Sequence, residues 1–197
     1  MTNMLGVILC GGKSTRMGTD KGLIKLHANT WAQTALDKIS ALHLKVFLSV
    51  NEVQYSEYLQ VFKEDELVKD DPRIQVKGPL AGVLSVHLQH PTDDLFVLAC
   101  DMPLMNGVML NKLLLLYKTS ALADAYVFTN DNELEPLCAI YTAKGLAYIA
   151  DLLKKNELPR HSMKFMLEHI KTLSTPLSEN QKKYFRNFNA HAELNGL

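Results

Sequence analysis

The chain has 197 residues, 47% of them hydrophobic and 21% charged, with 21 basic and 21 acidic side chains in balance. That composition is ordinary for a globular domain, and zero net charge excludes a global field for nucleic acid or anionic membranes. No apolar run approaches the roughly 20 residues needed to cross a bilayer.

The opening residues carry no charged leader ahead of a long apolar run. The three cysteines, Cys10, Cys100 and Cys138, are widely spaced and fit free thiols in a reducing compartment, so the expected location is cytoplasmic. "MLGVILC" (4–10) is a continuous apolar run closed by Gly11-Gly12, and it predicts a strand buried on both faces. "NTWAQTALDKISALH" follows. Thr30 and Gln33 stand at capping-box spacing, and Trp31, Ala35, Ile39 and Leu42 share one helical face.

"LKVFLSV" (44–50) and "LFVLAC" (95–100) repeat the buried-strand pattern, with a helix between them from Gly78-Pro79 until Pro91 stops it. "MLNKLLLLYK" (109–118) predicts a further helix. "DAYVFT" and "PLCAIY", separated by "NDNELE", predict an antiparallel pair at one edge. Helices around 143–155 and 161–169 and a last short one after Asn189 complete the pattern. The alternation implies an α/β fold: a Rossmann-like doubly wound, mostly parallel sheet with an antiparallel edge and helices on both faces.

In open α/β sheets, ligands bind beyond the carboxyl ends of the strands. Four features fall there: the loop from Gly11, then Asn51, Asp71 and Asp101. Residues 11–25 hold Lys13, Arg16, Lys21 and Lys25 against Asp20 alone, a local balance of +3. Glycines expose successive backbone N–H groups, arginine's fork suits phosphate oxygens and lysine adds a movable charge, so a polyphosphate is the expected ligand. Five residues separate Gly12 from Gly18 and Thr19 follows, which excludes the P-loop spacing, and GxGxxG is absent as well. Asp101, a hard oxygen ligand beside a phosphate site, suits Mg²⁺ or caps the following helix. Asp71 serves as a second acidic group or as a turn former before Pro72, and Asn51 as a contact to a base or sugar or as a strand terminator. The seven histidines show no zinc-binding cluster.

"LCGGKSTRMGTDKGLI" resembles the LAGGxSxRMGxDK signature of molybdenum cofactor guanylyltransferases, the MobA-like nucleotidyltransferases. "GPLAGVLSV" (78–86), "CDMP" (100–103) and the ending "NFNAHAEL" resemble further blocks of that family in the same order, so the resemblance covers nearly the whole chain. It implies one nucleotidyltransferase domain over 1–197, nucleotide-binding over about 1–105 and acceptor-side over about 106–197. By the same resemblance, Leu9, Cys10 and Gly11 help recognise the base, and Gly12, Arg16 and Lys21 hold the triphosphate. Asn51 and Asp71 match the nucleoside side, and Asp101 matches the Mg²⁺ ligand. Arg16, Lys21 and Asp101 would carry the catalysis.

The implied substrates are GTP and a molybdenum-bearing molybdopterin, with pyrophosphate released and other molybdenum-cofactor proteins as partners. Cys10 stands where the family has Ala. Glu135-Pro136 replaces a frequent His-Pro pair, and Ala190-His191 a frequent Thr-Pro. Arg160 and Lys164 are candidates to meet the acceptor's phosphate. A basic loop serves any NTP, so a cytidylyltransferase for the same cofactor or another small NTP transferase is an alternative, and a non-catalytic nucleotide-binding adaptor is another.

Overall fold

The first strand, β1 (Met4–Leu9), alternates its side chains between two apolar layers: Leu5, Val7 and Leu9 enter one, Ile8 the other. A computed structural model describes residues 3–11, 20–26, 28–120 and 122–188. In chain order β1 is followed by a two-strand ribbon, β2 (Lys25–Leu26) and β3 (Asn29–Thr30), then α1 (Trp31–Ser40), β4 (Lys45–Val50), α2 (Glu52–Tyr58) and β5 (Leu67–Lys69). Next come α3 (Pro79–Gln89), β6 (Asp94–Ala99), α4 (Gly107–Thr119), β7 (Ala125–Asn130) and β8 (Glu133–Tyr141). The described residues end with α5 (Ala143–Lys154), α6 (Met163–Leu167), β9 (Thr172–Pro176) and α7 (Glu179–Lys182).

Seven strands form one sheet in the order β5-β4-β1-β6-β8-β7-β9. The β5, β4, β1 and β6 strands run parallel, β8 is antiparallel to both its neighbours, and β9 is parallel to β7. The expected mostly parallel sheet with an antiparallel pair is present, but the pair is not outermost. Strand β8 lies inside, against β6, and β9 covers β7. The segment "TLSTP" is too polar and half-exposed to announce that ninth strand. The connection between β7 and β8 is shorter than "NDNELE": Asp131 and Asn132, at φ 49° and 67°, turn the chain, and β8 begins at Glu133.

Helices α1, α2 and α4 pack on one face and α3, α5 and α6 on the other, each over its own apolar layer. Helix α1 starts as its sequence predicts, with the Thr30 hydroxyl accepting from the Gln33 N–H at 3.1 Å and Trp31, Ala35 and Ile39 buried. A small third cluster joins Ile24, Trp31 and Phe188, with Leu104 against it. It ties the turn after Asp20, the start of α1 and the end of the described chain to one another. The helix expected after Asn189 lies outside the described residues. Among the described residues, no helix is long and apolar enough to cross a membrane.

Candidate active site

Because β1, β4, β5 and β6 are parallel and in register, with Leu9 beside both Ser49 and Ala99, their carboxyl ends leave the sheet together. A cavity of about 230 Å³ opens there. Its strand side is lined by Leu9, Gly11, Ser49, Asn51 and Asp70, and its far wall by Val76, Lys77, Gly78, Pro79 and Gly82 at the start of α3. Helix α3 can come this close because residue 82 has no side chain: a Cβ there would fall 2.3 Å from Ser49 Oγ. Gly78, at φ 75°, precedes the helix without a side-chain cap, and Pro79 occupies its first turn. The partial positive charge of an eleven-residue helix therefore faces the cavity without a capping side chain over it.

Lys21 and Asp101 meet at the neighbouring strand end, with Nζ 3.6 Å from Oδ2. Lys21 stands in a three-residue 3₁₀ turn, Lys21–Leu23, whose cap is Asp20; Gly22 N–H donates to Asp20 Oδ1 at 2.9 Å. Asp101 follows β6 and is fixed from outside, its carbonyl accepting from Phe188 N–H at 2.9 Å. Burial pushes the Asp101 carboxyl above the usual carboxylate range, and the nearby Lys21 ammonium opposes the shift without cancelling it. Asp101 Oδ1 is buried and has no hydrogen-bond partner among the described residues. An oxygen of that kind fits a hard divalent cation. No three His, Cys, Asp or Glu side chains cluster to hold a metal among the described residues. One carboxylate, with a polyphosphate and water completing the shell, is the donor set that Mg²⁺ takes readily.

Leu9 and Gly11 line the cavity as expected. Cys10 is buried, its backbone N–H donating to Ser49 C=O at 3.0 Å and its own carbonyl accepting from Gln54 Nε2 at 3.0 Å. Asn51 also lines the cavity, but its Oδ1 caps α2 by accepting from Gln54 N–H at 3.1 Å, so its amide NH₂ is the group offered to a ligand. Gly12 and Arg16 lie outside the described residues.

The two adjacent aspartates divide their work. Asp71 is engaged by Arg73, which donates from Nη2 to Oδ2 at 2.6 Å and from Nε to Oδ1 at 2.9 Å, and whose own backbone N–H also reaches Oδ1 at 2.8 Å. Those bonds hold the Asp71 carboxyl down at about 2. Asp70 lines the cavity, and burial pushes its carboxyl up to about 6. The side of the strand end on which a carboxylate emerges depends on one residue of register, which "KDDP" does not reveal.

The residues that sequence reasoning passed over are Asp70, Asp20, Gln54 and Tyr58. Gly82 was present inside the quoted "GPLAG" block, and its role follows from the contact with Ser49. At the start of β8, Lys164 pairs with Glu133 at 2.6 Å, and Arg160 lies over the Phe165 ring. Glu135 accepts from Asn130 Nδ2 at 3.0 Å, and burial raises its carboxyl.

A mixed sheet with a cavity at its parallel strand ends, an open helix N-terminus and a Lys–Asp pair beside it fits an α/β nucleotidyltransferase. Residues 6–172 match the MobA-like NTP transferase domain, and the chain belongs to that family. It is 29% identical, over 100% of its length and 97% of the relative, to a probable molybdenum cofactor guanylyltransferase of Flavobacterium johnsoniae. It is 27% identical to a protein of the same description from a Geobacillus species, covering 86% of this chain and 84% of that one. The crystal structure of molybdopterin-guanine dinucleotide biosynthesis protein A from Archaeoglobus fulgidus shares the fold, with a TM-score of 0.76 at 21% identity over 96% of this chain and 94% of that chain.

Proposed function

We propose that this protein transfers GMP from GTP to the terminal phosphate of a molybdenum-bearing molybdopterin, releasing pyrophosphate, in a Mg²⁺-dependent reaction. The observation that carries the proposal is the pairing of Lys21 with Asp101 at the strand ends next to the cavity. The guanylyltransferase names of relatives that align over most of the chain supply the substrates.

An acceptor phosphate oxygen forms a bond to the α-phosphorus while the bond from that phosphorus to the β-phosphate oxygen breaks, and the electron pair leaves with pyrophosphate. The nucleophile is already an anion at neutral pH, so no general base is required. The obstacle is repulsion between acceptor and triphosphate: two unit charges 4 Å apart repel by about 1 kcal/mol in water and about 4 kcal/mol at an effective dielectric of 20. Lys21 offsets that repulsion and holds charge on the leaving phosphates. The backbone of Cys10 and Gly11, the Asn51 amide and the N-terminus of α3 surround the nucleoside and its phosphates. Asp101, through its unpartnered Oδ1, would hold Mg²⁺, and that ion when bound neutralises phosphate charge and aligns the triphosphate.

The test offers the purified protein molybdenum-loaded pterin, Mg²⁺ and each NTP separately, with pyrophosphate release as readout. Release with GTP is expected. Release with CTP in its place would reassign the nucleotide, and the absence of release with every NTP would overturn the proposal.

A further inference from the structure

Asp20 is asked to do more than cap a helix. A three-residue 3₁₀ turn has little stability of its own and needs one acceptor at its start. Here three donors converge on one carboxylate: Gly22 N–H at 2.9 Å and Tyr58 Oη–H at 2.6 Å on Oδ1, with Gln54 Nε2 on Oδ2. Tyr58 is fully buried and Gln54 is 6% exposed, although both are polar and both belong to α2, a separate element of the fold.

Gln54 is committed at every polar atom. One Nε2 carries bonds to the Cys10 carbonyl and to Asp20, and its Oε1 accepts from Asn51 N–H at 3.0 Å. A single amide therefore ties the residue that leaves β1 to the residue that enters the Lys21 turn. The approach is tight: a Cβ on Gly22 would lie 2.0 Å from Tyr58 Oη. Charge-assisted hydrogen bonds of this kind, shielded from water, fix geometry strongly.

We propose that Gln54 and Tyr58 are positioning residues for nucleotidyl transfer: by holding the Asp20 carboxylate they set the short turn that aims Lys21 at Asp101. Neither residue lines the cavity. Tyr58 reaches the phosphates only through the Lys21 ammonium, whereas Gln54 also holds the Cys10 carbonyl, and this role rests on the reading of Lys21 as the triphosphate's partner. Losing the hold leaves the ammonium present but unaimed, which costs rate without removing charge.

The experiment is a double-mutant cycle on the full chain, read both as turnover in pyrophosphate release and as GTP affinity by calorimetry in the presence of Mg²⁺. Tyr58→Phe keeps the ring and its stacking on Phe62 while deleting the donor, and Gln54→Met keeps the volume while deleting both donors and the acceptor that receives Asn51 N–H. Each is expected to lower kcat about 10-fold; in a Lys21→Ala background Tyr58→Phe is expected to add less than about 2-fold, because its path to the phosphates is already cut, and Gln54→Met is expected to lose most of its effect, keeping only the part that acts through Cys10. Tyr55→Phe, which removes a hydroxyl bonded to Glu64 at the surface rather than to Asp20, serves as the control and leaves activity unchanged.

Thermal melting checks the fold of every variant. Should Gln54→Met fail to fold, Tyr58→Phe alone completes the cycle. Losses that persist in full in the Lys21→Ala background, or a Tyr58→Phe enzyme with wild-type turnover and GTP affinity, would overturn the positioning role. A wild type that binds GTP but releases no pyrophosphate would overturn the transfer reaction alone, since the affinity cycle still decides the positioning. A wild type that does neither would overturn both.

Discussion

Lys21 Nζ and Asp101 Oδ2 stand 3.6 Å apart, though they lie 80 positions apart in the chain. The pair is set by two parallel neighbours: β1 ends at Leu9, ahead of Asp20 and Lys21 in the chain, and β6 ends at Ala99, two residues before Asp101. A salt bridge only partly shielded from water adds little to stability. Its value is electrostatic: the Lys21 ammonium opposes the rise that burial imposes on the Asp101 carboxyl, at a place where phosphates are expected.

Removing the ammonium tests that value. Lys21→Ala is expected to lower kcat/KM by about 10²–10³-fold, the scale of deleting one preorganised charge donor. Circular dichroism and melting should be close to wild type. Turnover within a few-fold of wild type would remove Lys21 from the phosphate site.

Asp101 gives a second, pH-dependent test. Burial raises its carboxyl above the ordinary range, so in the metal-free protein more acid remains bound than on a free aspartate at the same pH. Protons and Mg²⁺ compete for the same oxygens. The acid limb of activity should therefore move to lower pH as Mg²⁺ is raised, and Asp101→Asn should abolish that movement. An acid limb that ignores Mg²⁺ concentration in the wild type would take Asp101 out of the metal site.

The strand pattern of the sheet's first half was legible because β1, β4 and β6 are buried on both faces and read as unbroken apolar runs ending at glycine, asparagine or aspartate. Helix α1 declared itself through Thr30 and its buried stripe. The position of β8 between β6 and β7 was not legible, since hydrophobic alternation records which face a residue takes and not which strand it borders. The site divided along the same line. Lys21 and Asp101 stand at strand ends that a sequence exposes, whereas Gln54 and Tyr58 act by reaching across from α2, and nothing in "NEVQYSEY" marks a buried amide and hydroxyl aimed at Asp20.

Asp70 should report its burial as a stability that depends on pH. Its carboxyl sits at about 6 when folded, against 3.8 ordinarily. A raised value means that the neutral form favours folding: that contribution is complete below pH 3.8 and is lost as pH rises through 6. Asp70→Asn is neutral throughout, so it should be more stable than wild type at pH 7.5, by about 1 kcal/mol after allowing for solvent screening, and the advantage should fade toward pH 4. For a chain of this size that is about 2–4 °C in Tm. A Tm difference that stays constant between the two pH values would contradict the assigned burial.

The close approach of α3 to β4 can be tested by filling it. Gly82 lies in the first turn and a half of α3, where a Cβ would meet Ser49 Oγ at 2.3 Å and Leu9 Cδ2 at 3.2 Å. Both neighbours line the cavity at the strand ends, so any adjustment displaces one of its walls. Alanine has the better helix propensity by about 1 kcal/mol, which alone would stabilise Gly82→Ala. A contact under 3 Å overrides that gain, because overpacking costs about 1–3 kcal/mol. Gly82→Ala should therefore melt lower than wild type and bind GTP more weakly. Removing the obstructing hydroxyl should repair much of the loss: Gly82→Ala with Ser49→Ala should recover stability beyond what the two single variants predict by addition, a coupling of about 1 kcal/mol or more between directly touching residues. Strict additivity of the two changes in Tm and GTP affinity would show that the helix is not held at that distance by the absence of a side chain at position 82.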